Sequence, residues 1–301
     1  MTGRPVRLAT RGSEQASTQA RVVAEQLGEA TGRPAELVFV ETTGDRRQDV
    51  PLHVIGGQGV FVKEVQQAVL DGRADAAVHS AKDLPSIPAP NLVVGAYTRR
   101  RDPADALVGR TLDELGEGAI VATGSVRRRA QLAVVRPDLR FVELRGNIAT
   151  RLGRIPEDGA IVMAVAALEV LGRTELVAER LDPTRFVPAV GQGCVAVEVA
   201  ADDDETIELL AALDHAPTRH AVEVERAFLA ELGAGCTLPV GAHASDGRLR
   251  TFLAASDRED RHVDLIIASD DVALSGDDGD LERAREAARA AKDAVGWNVS
   301  P

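Results

Sequence analysis

The sequence predicts an α/β protein with two lobes of sheet and helix, followed by a small C-terminal α+β domain. Over the first two-thirds of the 301 residues, short apolar or β-branched runs alternate with segments of helical spacing. This alternation is typical of parallel or mixed sheets covered by helices. It ends in roughly the last hundred residues, where Asp246-Gly247 is a strong hairpin signal. Hydrophobic residues make up 45% of the chain, which is enough for two or three compact cores.

The first series of elements begins with a strand whose apolar run ends at Thr10. Ser13 is a candidate N-cap for the helix that follows, and Gly32 is its stop signal. Residues 44–59 are polar and glycine-rich and predict a loop. The predicted strands are residues 6–10, 36–42, 74–79 and 92–98, and the predicted helices are 14–29 and 60–70.

A second series follows, and it starts at Thr111-Leu-Asp-Glu114, which has capping-box spacing for a short helix. Its predicted strands are residues 119–123, 141–145 and 161–165, and its predicted helices are 125–135, 147–154 and 166–171. We expect the apolar strand 194–200 to return to the first sheet, which would make segments near 96–98 and 188–192 a hinge.

The predicted domains are therefore 1–96 with 190–213, then 97–189, and finally 214–301. In the last domain an amphipathic helix, residues 217–232, precedes strands 240–244, 248–256 and 262–268 and a helix over 280–295. This order predicts a small antiparallel sheet with helices on one face.

Composition limits the function classes. The net charge of −12 argues against non-specific binding of nucleic acid. Lysine is scarce, with three among 35 basic residues, and Asp is abundant. This bias indicates either adaptation to high salt or a genome that favours Arg, Ala and Asp.

Two distant cysteines, no apolar signal segment and no apolar run near the roughly 18 residues of a membrane span indicate a cytoplasmic protein. No Cys/His cluster has zinc-ligand spacing, so we expect no metal.

Arginines recur where predicted strands end and helices begin. Such junctions meet at one edge of an α/β sheet, where ligands bind and helix N-termini point. Guanidinium groups there suit carboxylates or phosphates. The alternative is that these are surface arginines of an Arg-rich chain. The residues concerned are Arg11, Arg127, Arg128, Arg145 and Arg151, with Thr123-Gly124-Ser125 preceding the central pair.

Two further features carry candidate chemistry. Asp83 follows Lys82 at the end of an apolar strand, where it is either a catalytic carboxylate or half of a solvated turn pair. Cys236 lies in a glycine-rich loop after a helix, where it is either a nucleophile or a small buried thiol. Cys194 begins an apolar strand and is interpreted as a buried thiol. No histidine forms a defensible triad with either cysteine.

Eight motifs, in this order and spacing, resemble the porphobilinogen deaminase (hydroxymethylbilane synthase) family along almost the whole chain. Any one is weak, but eight in order are highly specific. They are Ala9-Thr-Arg-Gly-Ser13, Gly56-Gly-Gln-Gly-Val-Phe61, His79-Ser-Ala-Lys-Asp83, Arg100-Arg-Asp-Pro103, Thr123-Gly-Ser-Val-Arg-Arg128, Leu144-Arg-Gly-Asn147 with Thr150-Arg151, Pro188-Ala-Val-Gly-Gln-Gly193 and Gly235-Cys-Thr-Leu-Pro-Val-Gly241.

The resemblance implies two lobes like those of type II periplasmic binding proteins, a third domain that carries the cofactor, and a monomer. It implies a dipyrromethane bound through a thioether to Cys236, and Asp83 as the catalytic carboxylate for porphobilinogen. It also implies that Gln192 lies beside the hinge near the cofactor. The groups that would hold acetate and propionate side chains are Arg11, Ser13, Lys82, Thr123, Ser125, Arg127, Arg128, Arg145 and Arg151.

This chain departs from the family at Gln58, and near Val54, where many members carry Lys. A role for that loop as a cationic lid therefore stays open. Two alternatives to the enzyme remain at this point. One is a cytoplasmic two-lobed module that binds an anion without catalysis, and the other is a thiol enzyme that pairs Cys236 with a histidine.

Overall fold

The computed structural model describes residues 3–46, 59, 61–233, 238–256 and 265–297. Within these residues the chain forms two five-stranded sheets and one three-stranded sheet. We call the first five-stranded sheet with its helices lobe 1, the second lobe 2, and the three-stranded unit the third domain. The predicted fold class is confirmed.

Lobe 1 is a mixed sheet in the order β2-β1-β3-β10-β4. Its strands are β1 Val6–Arg11, β2 Ala35–Val40, β3 Ala76–Ser80, β4 Leu92–Tyr97 and β10 Val195–Ala200, and its helices include α1 Glu14–Thr31, α2 Thr43–Arg46 and α3 Lys63–Leu70. The prediction that the strand after Cys194 returns to the first sheet is confirmed, because β10 lies antiparallel between β3 and β4.

Lobe 2 has the order β7-β6-β8-β5-β9. Its elements are β5 Asp105–Gly109, β6 Ile120–Ala122, α4 Val126–Val135, β7 Arg140–Val142, α5 Ile148–Leu152, β8 Ala160–Ala164, α6 Val165–Val170 and β9 Glu179–Arg180. The sequence did not predict β5, because a charged residue begins it and a glycine ends it. The short helix predicted at Thr111 is wrong. Thr111 and Glu114 exchange both capping-box hydrogen bonds, but only a turn forms there.

The third domain follows α7 Asp204–Ala211 and comprises α8 Ala216–Leu232, β11 Val240–Ser245, β12 Arg248–Ser256, β13 Leu265–Ala273 and α9 Gly279–Ala294. Its sheet is antiparallel in the order β11-β12-β13. The sequence did not predict α7, which begins in an acidic run. Asp203 is in fact the N-cap, and its side chain accepts a hydrogen bond from the N–H of Thr206.

Two chain segments, residues 98–104 and 189–194, cross between the lobes and are paired with each other. The N–H of Arg101 donates to the carbonyl oxygen of Gly193 over 2.8 Å. Gly193 has φ +85°, and a Cβ at this position would lie 2.8 Å from the backbone carbonyl oxygen of Arg101, so only glycine fits.

The third domain is attached to both crossings through Glu225 of α8. The Glu225 carboxylate is fully buried and accepts from Arg100 Nη1 over 2.5 Å and from the Gly191 N–H over 2.8 Å. Burial alone would raise the pKa of Glu225, but Arg100 and His243 lower it to about 2. Val190 adds an apolar contact, because it belongs to the core of the third domain.

Every helix in the described ranges is too short or too polar to cross a bilayer. The same residues contain no group of three or more His, Cys, Asp or Glu side chains that could hold a metal ion.

Candidate active site

A cleft of about 700 Å³ lies between the two lobes. It is bordered by the end of β1, the start of α1, the turn after β3, the β6–α4 and β7–α5 junctions, and the second crossing. These are the carboxyl ends of strands and the N-termini of helices, as in other open α/β sheets. The cleft brings together Arg11, Ser13, Lys82, Asp83, Thr123, Ser125, Arg127, Arg128, Arg145, Arg151 and Gln192.

Two helices point their N-termini at this cleft. Ser13 caps α1 by accepting from the Ala16 N–H over 3.4 Å, and Ser125 caps α4 by accepting from the Arg128 N–H over 3.4 Å. A capping side chain satisfies one of the first backbone N–H groups of the helix, while other N–H groups of that turn stay available to a ligand. The positive ends of both helices therefore add to the cationic character of the cleft.

On the lobe 1 side, the Arg11 guanidinium lies over the Phe61 ring, 4.1 Å from its centre. Burial, together with the charge of Arg128, lowers the pKa of Lys82 to about 8. Asp83 ends the 3₁₀ turn Ala81–Asp83. No ion pair or hydrogen bond to the Asp83 carboxylate forms within the described ranges, and its charge acts on Lys82 and Arg151 only through space. This geometry does not support the turn-pair interpretation with Lys82.

On the lobe 2 side, Arg127 and Arg128 are almost fully buried and share one carboxylate, that of Asp105. Arg127 Nη2 lies 2.7 Å from Asp105 Oδ2, and Arg128 Nη2 lies 2.6 Å from Oδ1. Burial alone would raise the pKa of Asp105, but the two arginines hold it well below its usual range. Arg127 and Arg128 are thus not the surface arginines of the alternative interpretation.

Arg151, from α5, also borders the lobe 2 side of the cleft. Its Nε donates to the Gly146 carbonyl oxygen over 2.7 Å. Burial lowers the pKa of Arg151 to about 10, and the neighbouring charges of Arg128 and Arg145 act in the same direction. An anionic ligand would relieve this crowding of like charges.

Gln192 connects the second crossing to the arginines on the lobe 2 side of the cleft through Asp105. Its Nε2 donates to the Pro103 carbonyl oxygen over 2.7 Å and to Asp105 Oδ1 over 2.9 Å. The side chain is only 1% exposed although the residue borders the cleft.

The structure leaves one predicted site residue without a position, since Cys236 lies outside the described residues, as do Gln58 and Val54. Sequence reasoning missed Asp105. The one available signal was an aspartate directly before the apolar run Ala106–Val108, where a charge must be paired if the strand is buried.

The fold and the cleft define a class: a two-lobed α/β protein with a cleft between the lobes that is rich in arginine and suits an anionic ligand. A family model described as porphobilinogen deaminase, dipyromethane cofactor binding domain, matches residues 6–208, and one for the C-terminal domain of porphobilinogen deaminase matches residues 220–281. The chain therefore belongs to the porphobilinogen deaminase family of transferases.

Individual relatives agree with the family models. A porphobilinogen deaminase of Roseiflexus sp. is 45% identical over 278 residues, covering 89% of this chain and 92% of the relative. One of Acidothermus cellulolyticus is 49% identical over 246 residues, covering 79% of this chain and 74% of the relative. Among solved structures, the methionine binding protein MetQ is 16% identical, with a TM-score of 0.44 over 68% of this chain and 88% of that one.

Proposed function

We propose that this chain is a hydroxymethylbilane synthase of tetrapyrrole biosynthesis. It deaminates four porphobilinogen molecules and joins them head to tail on a dipyrromethane, and it releases hydroxymethylbilane and ammonia. The observation that carries this proposal is the interlobe cleft, which combines clustered guanidinium groups with the Asp83 carboxylate, for which no hydrogen bond or ion pair forms among the described residues.

The residues of the cleft fit a dipyrromethane. Each pyrrole of such a group bears two carboxylates, and the cleft offers Arg11, Lys82 and the arginines of lobe 2 to pair with them. When bound, the dipyrromethane supplies a free pyrrole α-carbon to which the new chain is joined. Ser13, Thr123 and Ser125 add hydroxyl and helix N-terminal donors for the same carboxylates.

The reaction on porphobilinogen places charge on a pyrrole nitrogen. The C–N bond to the aminomethyl nitrogen breaks and ammonia leaves, so the remaining methylene-pyrrole is electron-poor. A free pyrrole α-carbon then attacks this methylene carbon to form a C–C bond, and the attacking ring loses its α-proton. Asp83 accepts a hydrogen bond from the pyrrole N–H and stabilises the positive charge on the ring in both steps. The arginines bind the carboxylates and so orient the rings.

Cys236 is the proposed attachment residue. It lies between the end of α8 at Leu232 and the start of β11 at Val240, in the domain that Glu225 ties to the crossings. Of the two thiols, Cys194 is unsuited to this role, because it is 1% exposed and burial raises its pKa to about 12.

The crossings support our proposed domain boundaries, which are 1–96 with 190–213, 97–189, and 214–301. We also propose a monomer in the cytoplasm that binds neither membrane nor nucleic acid. Its excess of Asp and Glu, 47 against 35 basic residues, supports a surface adapted to salt.

Intact mass spectrometry of the purified protein tests the function directly. The wild-type chain should carry the added mass of two pyrrole units, and Cys194→Ser should keep it. Cys236→Ser should fold without it, because a hydroxyl is a far weaker nucleophile than a thiolate at neutral pH. An unmodified wild-type chain that binds porphobilinogen reversibly would instead identify a binding module.

Asp83→Asn tests the catalytic carboxylate. The change keeps size and hydrogen bonding but removes the charge facing the pyrrole nitrogen, so kcat should fall by roughly 10²- to 10³-fold. Asp83→Glu keeps the charge and should retain more activity than Asp83→Asn. Turnover is measured on folded protein whose mass shows the two pyrrole units, and near-wild-type kcat in Asp83→Asn would rule out the assignment.

A further inference from the structure

Asp105 is a completely buried carboxylate whose partners all come from other segments of the chain. It begins β5, immediately after the first crossing. Three residues that border the cleft contact it, namely Arg127 and Arg128 from α4 and Gln192 from the second crossing. Asp105 lies behind these three, so it is placed to act through them.

The contacts fix the orientation of both guanidinium groups. Arg128 donates to Asp105 Oδ1 from Nε over 2.9 Å and to the Val162 carbonyl oxygen from Nη1 over 2.9 Å. Arg127 donates to the Val187 carbonyl oxygen from Nη1 over 2.7 Å, and its Nη2 faces Asp105 Oδ2. Two guanidinium groups this close repel each other, and the repulsion is strong where water is excluded. The single carboxylate between them offsets that repulsion.

The same carboxylate is tied to the hinge. Gln192 Nε2 bridges Asp105 Oδ1 and the Pro103 carbonyl oxygen, so one amide joins the second crossing to the first crossing and to β5. A change in the angle between the lobes must therefore move or break a contact to the group that orients the arginines.

We propose that Asp105 is a positioning residue that holds Arg127 and Arg128 ready for the carboxylates of the pyrrole chain and couples them, through Gln192, to the hinge. The inference rests on the proposed function, because it assigns the ligand carboxylates to these arginines. Asp105 itself touches no substrate.

A second cluster in the chain offers a matched control. Asp75 accepts from Arg4 Nη1 over 2.9 Å and from Arg7 Nη2 over 2.7 Å, and its side chain is 6% exposed. Asp75 follows α3 and directly precedes β3, and none of the three residues in this cluster borders the cleft. Asp105→Asn and Asp75→Asn thus remove the same charge from the same kind of cluster.

Steady-state kinetics on protein loaded with two pyrrole units, as shown by intact mass, separate the two aspartates. In Asp105→Asn the KM for porphobilinogen should rise about tenfold or more, the loss expected for a charged hydrogen bond, and kcat should change less than KM. In Asp75→Asn both should stay near wild type. An unchanged KM in folded Asp105→Asn, or an equal rise in Asp75→Asn, overturns the proposal.

The pH profile gives a second readout that a loss of stability alone would not move. The charged groups around Lys82 are Arg128, Asp83, Asp105 and Arg127. Without the Asp105 charge the pKa of Lys82 should fall further, so the alkaline limb of kcat/KM should move to lower pH in Asp105→Asn. The alkaline limb should keep its wild-type position in Asp75→Asn and in Asp105→Glu. A limb that stays in place in Asp105→Asn would show that the Asp105 charge does not act on the groups of the cleft, which contradicts the proposal.

A third readout does not depend on activity. In ¹⁵N NMR spectra of the loaded wild-type protein, the Arg128 Nε–H should exchange slowly because Asp105 accepts it. Protection should be lost in Asp105→Ala, which offers no acceptor, and kept in Asp75→Ala, and protection kept in both overturns the proposal.

Asp105→Glu carries the test if Asp105→Asn does not fold. It keeps the charge but displaces the oxygens by about one bond length, so KM should rise while the alkaline limb stays in place. A wild-type KM in that variant overturns the proposal. The mass and turnover of the wild-type protein test the proposed function independently. If the wild-type protein carries two pyrrole units and turns over porphobilinogen, but the Asp105 variants keep its KM, only this inference is refuted.

Discussion

Asp105 and Asp75 each hold two arginines, but they do so in different surroundings. The Asp105 cluster is enclosed, with Arg127 and Arg128 only 5% and 8% exposed at their side chains. In the Asp75 cluster the side chains of Arg4 and Arg7 are 63% and 31% exposed. One carboxylate and two guanidinium groups therefore interact at a low dielectric beside the cleft in the Asp105 cluster, and largely in water in the Asp75 cluster.

The difference teaches how one ion-pair motif serves two purposes. At the end of the sheet where β1 and β3 begin, Asp75 ties β1 to the segment before β3, since it also accepts a hydrogen bond from the Arg7 backbone N–H over 2.8 Å. Beside the cleft, the arginines use some of their donors on Asp105 and on carbonyl oxygens and border the ligand space at the same time. The first cluster is expected to affect folding alone, and the second both folding and binding.

The largest expected contrast is in stability. Asp105→Ala leaves two buried guanidinium groups without their carboxylate, so the free energy of unfolding should fall by about 3–5 kcal/mol. Asp75→Ala should cost less, about 1–3 kcal/mol, because water can solvate Arg4 and Arg7. Urea unfolding of both variants at pH 7 checks the ranking. Equal losses would show that burial of the arginines does not matter.

Much of the site was predictable because strand ends and helix starts have local signals. Ser13 was recognised as a cap, and the arginines at the β1, β6 and β7 junctions all border the cleft. Asp105 was not predictable in this way. Its partners lie more than 20 residues away in the chain, so no periodicity or spacing connects them.

The fold shows the same limit. Return of β10 to the first sheet followed from a long apolar run, whereas β5 was missed because Asp105 interrupts its pattern. The capping box at Thr111 formed its two hydrogen bonds without a helix, since four residues of local signal cannot supply an apolar face to bury. Long-range packing decided these cases.

The next contrast is in activity, between Arg127→Leu and Arg7→Leu. Loss of one charged hydrogen bond to a ligand carboxylate should lower kcat/KM by roughly 10- to 100-fold in Arg127→Leu. Arg7→Leu should leave it within about threefold, because Arg7 does not border the cleft. Arg145→Leu should behave like Arg127→Leu. Mass spectra under limiting porphobilinogen should show stalled intermediates in the cleft variants alone, and similar kinetics for Arg127→Leu and Arg7→Leu would remove the basis for the anion cleft.

A smaller effect concerns acid. Burial alone would raise the pKa of Asp75, but Arg7 and Arg4 bring it down to about 2. A carboxylate with a lowered pKa in the folded state stabilises the fold above its unfolded pKa and loses that contribution as pH falls. The wild-type protein should therefore lose stability between about pH 4 and pH 2, and Asp75→Asn should lose less over that range. Urea midpoints at pH 4.5, 3.5 and 2.5 measure this. Parallel curves for the two proteins would mean that Asp75 keeps its ordinary pKa.

Salt should produce the smallest difference and the most direct one between the clusters. From 0.1 M to about 3 M KCl the Debye length falls from about 10 Å to below 3 Å, so exposed charges are screened and buried pairs are not. The net charge of −12 predicts that screening relieves overall repulsion, and the melting temperature of the wild-type protein should rise. The ion pair of Asp75 with Arg4 should also depend on salt more strongly than the ion pair of Asp105 with Arg128.

Double-mutant cycles isolate this local difference. The coupling between Asp75 and Arg4, from Asp75→Asn and Arg4→Met, should be small and should shrink in 3 M KCl. The coupling between Asp105 and Arg128, from Asp105→Asn and Arg128→Met, should be larger and nearly constant, because no ions reach a carboxylate that is 0% exposed. If both couplings fall together, the Asp105 cluster is open to solvent and cannot hold the arginines in place. If the wild-type melting temperature is flat or falls with salt, the acidic composition reflects the genome and not adaptation to salt.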